Sequence, residues 1–134
     1  MGDRANIFLV TEQSDDSDEV RGIYLYTHWG GYEWPETLRQ ALDSAQARDR
    51  WSDDQYLARI IASLVFDEYH TESTGAGIST RLGDNEHLII VCDLATQRVG
   101  FCKEGSEANK SSWTDLRSFT EFCALPRAKY PDGD

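Results

Sequence analysis

No run of apolar residues in this chain approaches the roughly 18 that span a bilayer as a helix. The opening Met1-Gly2-Asp3-Arg4 lacks the apolar core of a secretory signal. A cytoplasmic protein, in the cytosol of a host cell, is therefore expected, with no membrane partner. Gly2 does not signal myristoylation, because Asn6 stands where that pattern wants Ser or Thr. Cysteine is scarce: Cys92, Cys102 and Cys123 are an odd count without a C-x-x-C pair, which argues against a disulfide framework and a zinc site. Buried free thiols are the expectation.

Catalytic and metal-binding patterns are also missing. The chain has no G-x-S-x-G, no P-loop and no Cys beside an activating base. The three histidines, His28, His70 and His87, stand far apart, none with a partner at metal-ligand spacing. Asp16 and Asp18 match the first two positions of a calcium loop, but Val20 falls where a third oxygen is needed. Gly75-Ala76-Gly77 lacks the third glycine of a dinucleotide fingerprint. The acid pairs Asp53-Asp54 and Asp67-Glu68 occupy adjacent helix positions, whose side chains diverge. Neither an enzyme, a metal nor a cofactor is expected.

Positive charge is the other shortage. Lys and Arg number 13 against 24 Asp and Glu, a net charge of −11. Such a balance opposes binding to DNA, RNA or anionic lipid and points to a basic partner. Residues 1 to 80 hold fifteen acids against six bases, the remainder nine against seven. Arg outnumbers Lys ten to three, which suits planar pairing with carboxylates.

What is present describes one soluble domain with a core: 134 residues, 40% hydrophobic and 28% charged. Ala5 to Val10 and Arg21 to Thr27 read as a hairpin, joined by a polar, mobile acidic loop over residues 11–20. In the second strand Ile23, Leu25 and Thr27 share one face, and Tyr24, Tyr26 and His28 the other. Trp34-Pro35-Glu36 opens a helix whose inward stripe is Leu38, Ala41, Leu42 and Ala45. Ser52-Asp53-Asp54-Gln55 reads as a capping box for a core helix bearing Leu57, Ile60, Ile61, Leu64 and Val65 and ending near His70. A flexible turn from Thr71 and a strand at Ile78 to Leu82 follow, then a hairpin of His87 to Asp93 and Arg98 to Lys103. In that hairpin Leu88, Ile90, Cys92, Val99 and Phe101 share a face, and Cys92 and Cys102 point oppositely. Glu104 to Lys110 reads as a polar loop. Ser112-Trp113-Thr114-Asp115 caps a last helix, and a tail over residues 126–134 frays. The order β-β-α-α-β-β-β-α predicts an α+β domain, a mostly antiparallel sheet of about five strands with three helices.

Two surfaces stand out. Glu12, Asp15, Asp16, Asp18 and Glu19 offer a contact surface for a basic partner. Alternatively, Tyr26, His28, Trp29 and the Gly30-Gly31 turn, completed by Arg48 and Arg50, form a pocket for a small anionic or nucleotide-like ligand. There the glycine turn leaves amides bare for an anion and an aromatic ring offers stacking. His70 and His87 read as a helix-end and a strand-start residue.

The Tyr-x-His-Trp-Gly-Gly core at Tyr26 to Gly31, with Arg50-Trp51-x-Asp53 and Tyr56-Leu57-x-Arg59-Ile60-Ile61, resembles small uncharacterised proteins of phages and prophages. The resemblance implies a mobile-element origin and no particular activity. With the acidic composition, it favours a non-enzymatic protein that inhibits or modulates a basic host protein, for example a nucleic-acid-binding defence or transcription factor. The alternative is a protein that sequesters a small ligand at the His28-Trp29 strand end.

Overall fold

The computed structural model describes residues 2–66 and 75–131. Its architecture is α+β, built on one mixed sheet. Strands β1 (Ala5–Gln13) and β2 (Val20–Thr27) pair antiparallel, Ala5 opposite Thr27 and Gln13 opposite Val20, with a bulge between Val10 and Glu12. Both strands run further toward the turn than apolar alternation suggests, so the acidic connection shortens to residues 14–19.

Three helices follow: α1 (Trp34–Asp43), α2 (Ala45–Arg48) and α3 (Asp54–Val65). Ser44 adopts an extended conformation and caps α2 by accepting a hydrogen bond from the Ala47 amide at 3.2 Å. This break re-phases the chain, so Ala47 is buried where Ala45 was expected. The cap of α3 is Asp53 rather than Ser52, accepting from the Tyr56 amide at 3.3 Å. The expected end of this helix near His70, the pair Asp67-Glu68 and the turn at Thr71 lie outside the described residues.

The remaining elements are β3 (Ala76–Ser79), β4 (Ile89–Asp93), β5 (Arg98–Cys102), β6 (Thr114–Ser118) and α4 (Phe119–Cys123). The strand order is β3-β2-β1-β4-β5-β6. Neighbours are antiparallel except the central pair β1 and β4, which is parallel with Ile7 opposite Ile90. The sheet thus has six strands rather than about five, and four helices pack with it among the described residues. The main discrepancy lies at residues 112–118. Ser112 to Asp115 does not cap a helix; the sixth strand forms there, and the capping box is Ser118 with Glu121. A Ser-x-x-acid pattern is satisfied by either register, and pairing with β5 selects the later one.

Both central strands are buried on both faces, which is why they read as unbroken apolar runs. The helices cover one face, where Leu9, Leu25, Trp34, Leu38, Ile61 and Phe119 are among the fully enclosed side chains. Each such side chain contributes about 1.5–3 kcal/mol on burial. The face assignments hold: Leu25, Ile90, Cys92, Val99 and Phe101 look toward the helices, whereas Tyr24 and Cys102 belong to a second cluster on the opposite face. Residues 103–113 cover that second cluster. Trp113 donates from Nε1 to the Glu107 carbonyl at 3.0 Å, and the Tyr24 hydroxyl donates to Glu107 Oε2 at 2.8 Å. The segment expected to be merely a polar loop is therefore a lid on the second core.

The tail does not fray from Pro126. The Ala128 amide donates to Glu36 Oε1 at 2.7 Å, and the Tyr130 hydroxyl to the Gly31 carbonyl at 2.9 Å. Residues 125–131 form a strap, closing the helical layer against the Gly30-Gly31 turn. No described helix is long and apolar enough to cross a membrane.

Candidate functional site

The glycine turn between β2 and α1 is already engaged. Gly30 sits in the left-handed region at φ 68, a conformation that favours glycine. The Gly31 amide donates to the Asp3 carbonyl at 2.8 Å, and the Tyr32 amide to Asp3 Oδ2 at 2.9 Å. Two of the amides at the turn are thus taken by Asp3, that of Gly31 by its carbonyl and that of Tyr32 by its carboxylate, whose other oxygen accepts from His87 Nε2. The His87 ring stacks on Tyr130 at 4.6 Å. Sequence reasoning missed Asp3 altogether, because nothing in its neighbourhood marks a side chain whose partners lie far along the chain.

His28 is tied into the same end of the sheet. Its amide donates to the Gly75 carbonyl, and its own carbonyl accepts from the Asp3 amide. Arg4 Nε donates to His28 Nδ1 at 3.3 Å, and the Tyr26 hydroxyl lies 3.1 Å from the same nitrogen. A guanidinium can only donate, so Nδ1 is the acceptor in this contact. Trp29 packs edge-on against His28 with ring centroids 4.5 Å apart. Arg48 and Arg50 do not join this group. Arg48 Nε donates to Asp43 Oδ1 at 2.9 Å and its guanidinium covers Trp51, while Arg50 lies 3.8 Å from Asp53 and covers Tyr56. These exposed pairs contribute little to stability, but they occupy both cations at the helical corner.

The acidic residues of the β1–β2 connection are arranged differently. Glu12, Asp15, Asp16, Asp18 and Glu19 are all exposed, and none forms an ion pair among the described residues. Their backbone is anchored nonetheless. Glu19 bridges to Asn109, Val20 donates its amide to the Ala108 carbonyl, and the Lys110 amide donates to the Asp18 carbonyl at 2.9 Å. Across the turn the Ser14 amide donates to the Glu19 carbonyl, and the Ser14 hydroxyl to Asp16 Oδ1 at 2.7 Å. The second-face lid thus also props up the acidic hairpin.

A third surface has the opposite sign. A cavity of about 460 Å³ lies between β6 and the strap, floored by Phe101 and Tyr130 and presenting Arg117, Arg127 and Lys129. These three cations are scattered in sequence, so only folding reveals them as a group. Among the described residues, no set of three or more His, Cys, Asp or Glu side chains is placed to hold a metal ion.

The cysteines offer no reactive nucleophile. All three are buried and unpaired. Burial pushes every thiol upward, that of Cys102 to about 12. No protein-family model, curated protein or solved structure matches the chain.

Proposed function

We propose that this is a non-enzymatic binding protein that presents its acidic hairpin to a basic face of another protein. The observation that carries the reading is the hairpin itself: five exposed carboxylates without ion pairs among the described residues, on a backbone already fixed by bonds to residues 108–110. Fixing the backbone beforehand lowers the ordering cost of association, and a cluster of one sign steers a basic partner to it. A phage or prophage origin, suggested by the Tyr-x-His-Trp-Gly-Gly core, makes a host protein the expected partner. A nucleic-acid-binding protein offers the complementary surface, since its binding face is already basic. Binding there modulates or inhibits the host protein by occupying that face. The alternative of a ligand pocket at His28 and Trp29 has less support, because Asp3 takes the Gly31 and Tyr32 amides and Arg4 takes His28 Nδ1.

The test is capture of partners from a bacterial host with the wild-type chain and with a variant carrying Asp15→Lys, Asp16→Lys, Asp18→Lys and Glu19→Lys. The wild-type complex should associate about tenfold or more slowly when salt is raised from low to physiological strength. The variant should lose the partner while keeping its melting temperature. A partner held equally well by both chains overturns the reading.

A further inference from the structure

We propose that the groove between β6 and the C-terminal strap is a second binding site, for a small phosphate-bearing ligand of nucleotide size. Acids outnumber bases 24 to 13 in this chain, yet the groove offers Arg117, Arg127 and Lys129 against one acid, Asp115. Arg4, Arg39, Arg48, Arg50 and Arg98 each lie within ion-pair distance of a carboxylate. Among the described residues the three groove cations have no such partner, which they share with Arg21, Arg59, Arg81, Lys103 and Lys110; what sets them apart is that all three line one cavity, where their charge can meet a ligand.

Their placement follows from the fold. Arg117 is opposite Val99 in the β5–β6 register and therefore stands on the helix-bearing face, beside the ring of Phe101. On the strap, Ala128 is buried with its amide on Glu36, which leaves Arg127 and Lys129 exposed on either side of it. The Tyr130 bond to Gly31 anchors the end of the strap, and the three cations line one cavity. About 460 Å³ lies within the range of small-molecule sites.

The chemistry of the lining selects the ligand class. Two guanidiniums and an ammonium suit a group with at least two negative charges and several acceptor oxygens, and Arg matches phosphate geometry bidentately. Phe101, Leu125 and Pro131 give an apolar floor for a planar or aliphatic moiety. Asp115 supplies an acceptor for a ligand N–H or O–H. Its backbone is left-handed at φ 53, an uncommon conformation for a residue other than glycine. That conformation arises at the irregularity between β5 and β6 and places Asp115 on the rim of this cavity and of the neighbouring one. A phosphate ester carrying a hydrogen-bond-donating planar group satisfies all these features, whereas inorganic phosphate uses only the cations.

Titration calorimetry of the full chain with ADP and with inorganic pyrophosphate tests the assignment. Both should bind, ADP more tightly. Arg117→Gln and Lys129→Gln should each weaken both by about tenfold, the worth of one charge-assisted hydrogen bond. Asp115→Asn keeps the left-handed backbone, which Asn tolerates, and removes the opposing charge, so pyrophosphate should bind several-fold more tightly. The hairpin variant Asp15→Lys should leave both affinities unchanged, which separates this site from the acidic surface. Absence of binding by either probe up to about 5 mM, where association is worth no more than about 3 kcal/mol, overturns the proposal. So do affinities indifferent to Arg117→Gln and Lys129→Gln, weaker pyrophosphate binding by Asp115→Asn, or ADP binding no tighter than pyrophosphate.

Discussion

Glu36 shows how much one side chain can organise. It accepts from Arg39 Nε and Nη2 at 2.7 and 2.6 Å, from Gln40 Nε2 at 3.1 Å and from the Ala128 amide, linking α1 to the strap. The Arg39 hydrogen bonds, aided by the Ala128 amide and opposed by burial, hold its carboxyl down at about 2 against a usual 4.5. Because the folded-state value is depressed, the stabilisation is fully present above about pH 4.5 and disappears as pH falls toward 2. Glu36→Gln should cost about 3 kcal/mol at pH 7 and about 1 kcal/mol or less near pH 2.5, read from urea unfolding at the two pH values. The Ala128 amide should also lose protection from hydrogen exchange. Gly31→Ala should cost about 1–3 kcal/mol in thermal unfolding, since the added Cβ would lie 2.6 Å from the Asp3 carbonyl oxygen and 2.8 Å from the Ala5 Cβ. The cysteines carry a third expectation: a thiol reagent should find no rapidly reacting group until the chain unfolds.

Among the elements, the lid over residues 103–113 is the one whose loss would do most. Trp113 is buried in one cluster with Phe8, Tyr24 and Val91 and bonded to the Glu107 carbonyl, so Trp113→Ala should cost about 3–5 kcal/mol. The lid also anchors the acidic hairpin, so the same change should raise hydrogen exchange at Val20, whose amide bonds to Ala108. Ser118→Ala should cost about 1 kcal/mol by removing one arm of the capping box. These elements differ in how plainly the sequence announces them. α3 was legible because Leu57, Ile61 and Val65 repeat at helical spacing and do face the core. The hairpin faces were legible because strands alternate strictly, which placed Cys92 and Cys102 on opposite sides. β6 was not: Thr114-Asp115-Leu116-Arg117 has little apolar alternation, and only pairing with β5 makes it a strand. The parallel relation of β1 and β4 was hidden for a different reason. Unbroken apolar runs at Ile7 to Val10 and Ile89 to Cys92 signal burial on both faces but not which strand lies beside which.

At the scale of the molecule, charge is sorted rather than spread. The acidic hairpin sits at one end of β1 and β2, and the cationic groove lies along the outer edge of β6, on the helix-bearing face. Composition made the acidic surface visible in the sequence, since Asp15, Asp16, Asp18 and Glu19 are nearly contiguous. It concealed the groove, because Arg117, Arg127 and Lys129 are separated by α4 and the turn after it and are outnumbered everywhere else. Neutralising the hairpin should therefore abolish steering of a basic partner, whereas neutralising the groove should leave that association rate unchanged, a contrast measurable by stopped-flow at low salt. The parallel pairing at the centre of the sheet has a separate consequence for how the protein comes to be. β1 is synthesised well before its second neighbour, β4, so closure of a long loop must precede the central ladder. Until then the nascent β1–β2 hairpin exposes an unpaired apolar edge, Ile7 to Val10. That waiting interval, more than the finished fold, is when the chain presents an open strand edge to aggregation.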